Sequence, residues 1–129
     1  MAHYVFLDEN NIVTDVIVGK NENDPVPNGF DSWEAYYGNV KGQTCKRTSY
    51  NTLRNAHSLG GTPYRGNYAG LNYIYDETDD IFYAPKFYDS YVWEASIAEY
   101  VAPVPYPTDG QNYLWNEDTV SWIISPVGL

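Results

Sequence analysis

Tyr73-Ile74-Tyr75-Asp76-Glu77, Tyr91-Val92-Trp93-Glu94-Ala95 and Tyr113-Leu114-Trp115-Asn116-Glu117 are three versions of one pattern. Each is followed, nine positions after its leading tyrosine, by another large ring: Phe82, Tyr100 or Trp122. An aromatic, a spacer, a second aromatic, a polar four-residue turn and a returning apolar run is the sequence form of a β-hairpin. With four-residue loops, Tyr73 is expected to face Phe82, Tyr91 to face Tyr100 and Tyr113 to face Trp122. The inner rings Tyr75, Trp93 and Trp115 then share that face. The connectors Ala84-Pro85 and Ala102-Pro103-Val104-Pro105-Tyr106-Pro107 cannot donate ladder hydrogen bonds and favour extended paths, so the hairpins are strung on stiff spacers. Their spacing, 18 residues and then 22, is too irregular for a strict solenoid or propeller. A lone hairpin is barely stable in water, so these must pack on one another, on the N-terminal hairpin or on a neighbouring protein.

Working towards the N-terminus, Tyr4-Val5-Phe6-Leu7, the turn Asp8-Glu9-Asn10-Asn11 and Ile12 to Val18 read as a further hairpin whose strands are apolar on both faces. Residues 19–30 carry Pro25, Pro27 and Asn28-Gly29 and read as a loop. Asp31 to Gly38 suits a short helical turn with Asp31 or Ser32 as N-cap and Gly38 near the C-cap. So short a helix needs Trp33, Tyr36 or Tyr37 to pin it to the sheet. Thr44 to Tyr50 reads as a strand with Cys45, Arg47 and Ser49 on one side. Asn51 to Gly70, holding Gly60-Gly61, Pro63 and Gly66 with no apolar period, reads as a long loop. The expectation is an all-β, hairpin-rich single domain over residues 1–129. It divides into an N-terminal hairpin and strand (1–50), a long basic loop (51–70) and a three-hairpin aromatic region (71–129).

The formal net charge of −10 argues against nucleic-acid binding, which needs a basic surface. Its distribution is sharper. Residues 1–40 carry seven acids against Lys20; residues 41–65 carry Lys41, Lys46, Arg47, Arg54 and Arg65 with no acid; residues 66–129 carry ten acids against Lys86. The chain is acidic, basic, acidic. The basic segment reads either as a solvated stretch or as a docking surface for an acidic neighbour, with Lys46, Arg47, Arg54 and Arg65 as its contacts. Neither a signal peptide nor a membrane span is expected. The single Cys45 excludes an internal disulfide framework and fits assembly in a reducing compartment.

Chemistry is sparse. His3 and His57 show no zinc-ligand spacing, and Asp76 to Asp80 lacks the glycine and terminal glutamate of an EF-hand loop, so no metal or other cofactor is expected. No phosphate loop, dinucleotide fingerprint or nucleophile elbow occurs. No enzymatic activity is expected. Trp93, Trp115 and Trp122 could stack on sugar rings, but pairs at one relative position in every hairpin fit small cores and subunit contacts better.

Met1 to Thr14, Cys45 to Thr52, Tyr68 to Asp76 and Tyr113 to Glu117 through Trp122, in that order and over nearly the whole chain, resemble small virion structural proteins of marine tailed bacteriophages, including those of cyanobacteria. The chain departs from that pattern at Gly66, where a basic residue is expected, at Asn72, near which a glycine is expected, and at Asn116, where an aspartate is expected. The resemblance implies a non-enzymatic, many-copy component of the phage particle, assembled in the host bacterial cytoplasm. Its partners would be other virion proteins, a major capsid or tail protein, together with further copies of itself, and it would involve neither membrane nor nucleic acid. A capsid decoration or cement role is the first expectation, and a tail- or fibre-associated protein with glycan affinity is the alternative.

Overall fold

The computed structural model describes residues 2–126. The fold is all-β with one helix, and it groups into two compact units: residues up to Pro85 together with Ala95–Glu99, and Lys86–Glu94 together with the chain from Tyr100 onward.

The first unit is built around β1 (Ala2–Leu7), the middle strand of a three-stranded antiparallel sheet between β2 (Val13–Gly19) and β3 (Thr44–Thr48). Alternation sends successive side chains to opposite faces, and here both faces are apolar and both are covered. Ala2, Tyr4 and Phe6 pack with Trp33 and Cys45 on one side; Val5 and Leu7 pack with Val13, Ala69, Tyr75 and Phe82 on the other. Asp8 closes the β1–β2 turn by accepting from the N–H groups of Asn10 and Ile12 at 2.8 and 3.0 Å. A bulge slips the register between Phe6 and Leu7. The Gln43 amide covers it by donating to the Leu7 carbonyl and the Thr14 hydroxyl.

The helix covers the first face. It is α1 (Trp33–Lys41), capped by the Ser32 hydroxyl, which accepts from the Ala35 N–H, and ended by Gly42 in the left-handed region at φ 75°. It therefore runs about one turn past the expected stop. Gly38 lies inside it because the chain entering β3 passes closely there: a Cβ at Gly38 would stand 2.9 Å from the Gln43 carbonyl oxygen. The expected pins hold. Trp33 is buried and donates to the Asp24 carbonyl, and Tyr37 packs on Tyr4 with ring centroids 5.0 Å apart.

The central segment is not a structureless loop. Thr52–Leu53 (β4) and Ala56–His57 (β5) form a minimal hairpin whose two turn residues, Arg54 and Asn55, both have positive φ. That pair of left-handed residues makes a tight turn matching strand twist. Too few residues alternate for a period to be visible in the sequence. Buried Asn67 fixes the rest of the segment: its side chain donates to the carbonyls of Phe82 and Ala98 and accepts from the Arg54 N–H. Gly66, at φ 76°, is left-handed and closely packed: a Cβ there would stand 3.2 Å from the Cβ atoms of Ala98 and Ile81.

All three C-terminal hairpins form: β6 (Ile74–Asp76) with β7 (Ile81–Tyr83), β8 (Val92–Glu94) with β9 (Glu99–Val101), and β10 (Tyr113–Asn116) with β11 (Ser121–Ile124). The expected four-residue loops are present, but the expected ring pairing is shifted. Asp76 faces Ile81 and Asn116 faces Ser121, so the inner rings are the paired ones, Tyr75 with Phe82 and Trp115 with Trp122. In the middle hairpin, likewise, Trp93 lies edge-on to Tyr100 at 5.2 Å. A four-residue loop itself requires this, because the residues flanking the loop pair first and the next pair shares one face. In each loop the last residue is left-handed: Asp80 at φ 54°, Ala98 at 50° and Val120 at 48°. One turn geometry is thus used three times.

Phe82 is fully buried in the core formed with Val5 and Leu7. Phe82→Ala is expected to lower unfolding stability by about 3–5 kcal/mol, read from the urea midpoint, and a loss below about 1 kcal/mol would mean that this hairpin is not part of the core.

Candidate docking surfaces

Four of the five bases of the basic segment are matched from within. Five ion pairs join described residues of the first unit, and each links a base of residues 41–65 to an acid outside that stretch: Lys41 to Asp15, Arg47 to Glu22, Arg54 to Glu99, and Arg65 to both Glu34 and Asp80. The alternation of charge along the sequence is thus also a pattern of internal pairing.

Arg65 is the most enclosed of these bases, with a side chain only 11% exposed. Its guanidinium lies 2.7 Å from Glu34 on α1 and 2.8 Å from Asp80 in the β6–β7 turn, and it donates to the Arg47 carbonyl at 2.9 Å. Tyr64 and Tyr75 flank it. Burial opposes its charge, but the hydrogen bond and charge of Glu34, together with Tyr64 and Asp80 nearby, outweigh this and push its pKa up. Burial likewise opposes charge on Asp80, yet the hydrogen bond from the Tyr75 hydroxyl and the Arg65 guanidinium hold its carboxyl below the usual carboxylate value. Arg65 therefore ties the cover of one sheet face to the cover of the other.

The other three expected contacts sit nearer solvent. Arg47 stacks on Tyr64 at 4.0 Å and approaches Glu22 at 3.7 Å. Arg54 meets Glu99 at 2.7 Å on the surface. The Lys46 ammonium lies 5.5 Å over the Tyr75 ring. Lys46, Arg47 and Arg65 come together around Tyr64 and Tyr75, whereas Arg54 stands apart in the β4–β5 turn. Sequence reasoning missed Asn67 and Asp80, because a single amide in a glycine-rich stretch and one acid among four carry no periodic signal.

The second unit is an aromatic relay. Tyr88, Tyr91, Trp115, Trp122, Tyr106 and Tyr113 touch in that order, with centroid separations of 4.9–5.9 Å. Trp115 donates its indole N–H to Glu117, which also accepts two hydrogen bonds from Ser90; Trp122 donates to the Val104 carbonyl. The bonds from Ser90 and Trp115 hold the Glu117 carboxyl below its ordinary value. Trp115 and Trp122 are half-buried central rings of this unit, while Trp93 is 38% exposed. On the opposite face of β10–β11, Leu114 and Ile123 face each other and are both exposed.

Burial pushes the Cys45 thiol up to about 12, which keeps it a protonated core residue. His57 accepts from the Leu59 and Gly61 N–H groups, and His3 stacks on Tyr50. No cluster of three or more metal-ligating side chains occurs among the described residues, and among them no helix is long and apolar enough to cross a membrane. No family model, curated protein or solved structure was found to match the chain.

Two substitutions test the Arg65 lock. Arg65→Met leaves Glu34 and Asp80 without their shared partner, and should cost about 2–3 kcal/mol, less than a fully buried pair because both acids retain some solvent. A cost near zero would mean that the lock does not hold the covers. In Asp80→Asn the left-handed backbone is kept and only the charge is lost. A depressed carboxyl stabilises the fold above its unfolded value, 3.8, and that contribution disappears as pH falls through the folded value. Wild type should exceed Asp80→Asn in thermal midpoint at neutral pH, with the gap closing below 3.8; a gap independent of pH would reject the pairing.

Proposed function

We propose that this chain is a non-enzymatic structural component of a bacteriophage virion, a decoration or cement protein on the head. The observation that carries the reading is the repeated two-stranded hairpin, a unit that gains its stability only by packing on something else. The first is packed into the core of its own unit through Tyr75 and Phe82. The last keeps Leu114 and Ile123 exposed on one face, which suits a protein completed by its neighbours. The sequence resemblance to phage virion proteins supports the same reading. On a closed shell each copy contributes a modest contact, and symmetry multiplies it.

A second reading is a tail- or fibre-associated protein that binds host-surface glycans. The exposed ring of Trp93 favours it; Trp115 and Trp122, packed edge-to-face on each other, do not. Trp93→Ala should then abolish retention on immobilised glycan without unfolding the chain, and absence of retention by the intact protein would end that reading.

Copy number separates the two. A head protein should be present in purified particles at a fixed, icosahedral ratio to the major capsid protein, measured by quantitative mass spectrometry. A handful of copies per particle would overturn the head assignment.

A further inference from the structure

The three hairpin tips share one backbone and differ in what they meet. At the left-handed position of the first, Asp80 pairs with Arg65; at that of the second, Ala98 is 1% exposed and its carbonyl accepts from Asn67. At the third stands Val120, 42% exposed at φ 48°. A left-handed conformation is costly for any residue with a Cβ and most of all for a β-branched one, while asparagine, aspartate or glycine would adopt it readily. An apolar side chain is held here at a conformational cost and left in water. On the same hairpin, Leu114 and Ile123 form a cross-strand apolar pair, 42% and 43% exposed, on the face of β10–β11 opposite the paired tryptophans.

We infer that the tip and outer face of the third hairpin, Val120 with Leu114 and Ile123, form a docking surface for another protein whose contact is apolar with a cationic rim. Charge selects that partner. The second unit carries Asp89, Glu94, Asp109, Glu117 and Asp118 against Lys86 alone, so it repels phosphate backbones and anionic lipid and attracts a basic rim. A second copy is a poor match, because its arginines are already ion-paired within the first unit. The partner is thus opposite in charge to the acidic neighbour that the basic segment suggests. This docking surface deepens the virion reading and rests on it.

The test is rebinding of the purified full-length chain to phage particles depleted of it. Wild type should rebind, with affinity falling as salt rises from about 0.05 to 0.5 M. Leu114→Gln/Ile123→Gln should reduce the bound fraction at least about tenfold, the scale expected of a central apolar contact, with an unchanged circular dichroism spectrum. Val120→Asn separates docking from folding: it should raise the melting temperature by relieving the backbone while weakening rebinding. Equal rebinding by the double variant and wild type would overturn this surface and leave the virion reading standing. Binding that strengthens with salt, or concentration-dependent self-association lost in the double variant, would overturn the cationic partner. Failure of wild type to rebind would overturn both the surface and the reading beneath it.

Discussion

Burial of β1 on both faces is the constraint on which the first unit depends. A strand whose Tyr4 and Phe6 point one way and Val5 and Leu7 the other cannot be served by a single layer. It needs a cover on each side, and the chain has one helix and a few short hairpins to supply them. The helix, held by Trp33, takes one side; the first aromatic hairpin, through Tyr75 and Phe82, takes the other. Arg65 then reaches Glu34 in the first cover and Asp80 in the second. The apolar cores supply most of the driving force, and the Arg65 ion pairs join the two covers.

That arrangement changes the meaning of the charge pattern. Five bases in succession without an acid resemble a patch made for an external partner. In the folded chain the acids on either side return to four of them, because β2, α1, the β6–β7 turn and β9 all supply a carboxylate to the same stretch. Pairing within the chain leaves the surplus of acid, and it is this surplus that any neighbour meets.

The hairpin repeat is legible from its rings, and so is the length of each loop. Which rings meet is legible too, once the pairing is counted outward from the loop rather than from the leading tyrosine. The N-terminal hairpin and the covered strand follow from continuous apolar runs, and the helix from Ser32 and the pinning aromatics. The helix end is not legible, because Gly38 answers to the close passage of the chain entering β3 and Gly42 to the backbone turn, and both are simply glycine in the sequence. The β4–β5 hairpin is hidden because two-residue strands have no period. Arg65 cannot be told from Arg54 in the sequence, since the acids that decide the difference are distant along the chain: Glu34 and Asp80 enclose Arg65, whereas Glu99 meets Arg54 at the surface.

The sequence by itself determined the all-β class, the hairpins and their loop lengths, and the alternation of charge, since these depend on periodicity, turn chemistry and composition within short windows. Only the tertiary structure decided which charges are paired, which rings are core and which apolar side chains remain in water. Those outcomes depend on segments far apart in the chain arriving at one place. Val120 shows the division most clearly. Its neighbours in sequence mark a turn, but that the turn is left-handed at a β-branched residue, and that this residue stands exposed where Asp80 and Ala98 are engaged, is a property of the folded chain alone.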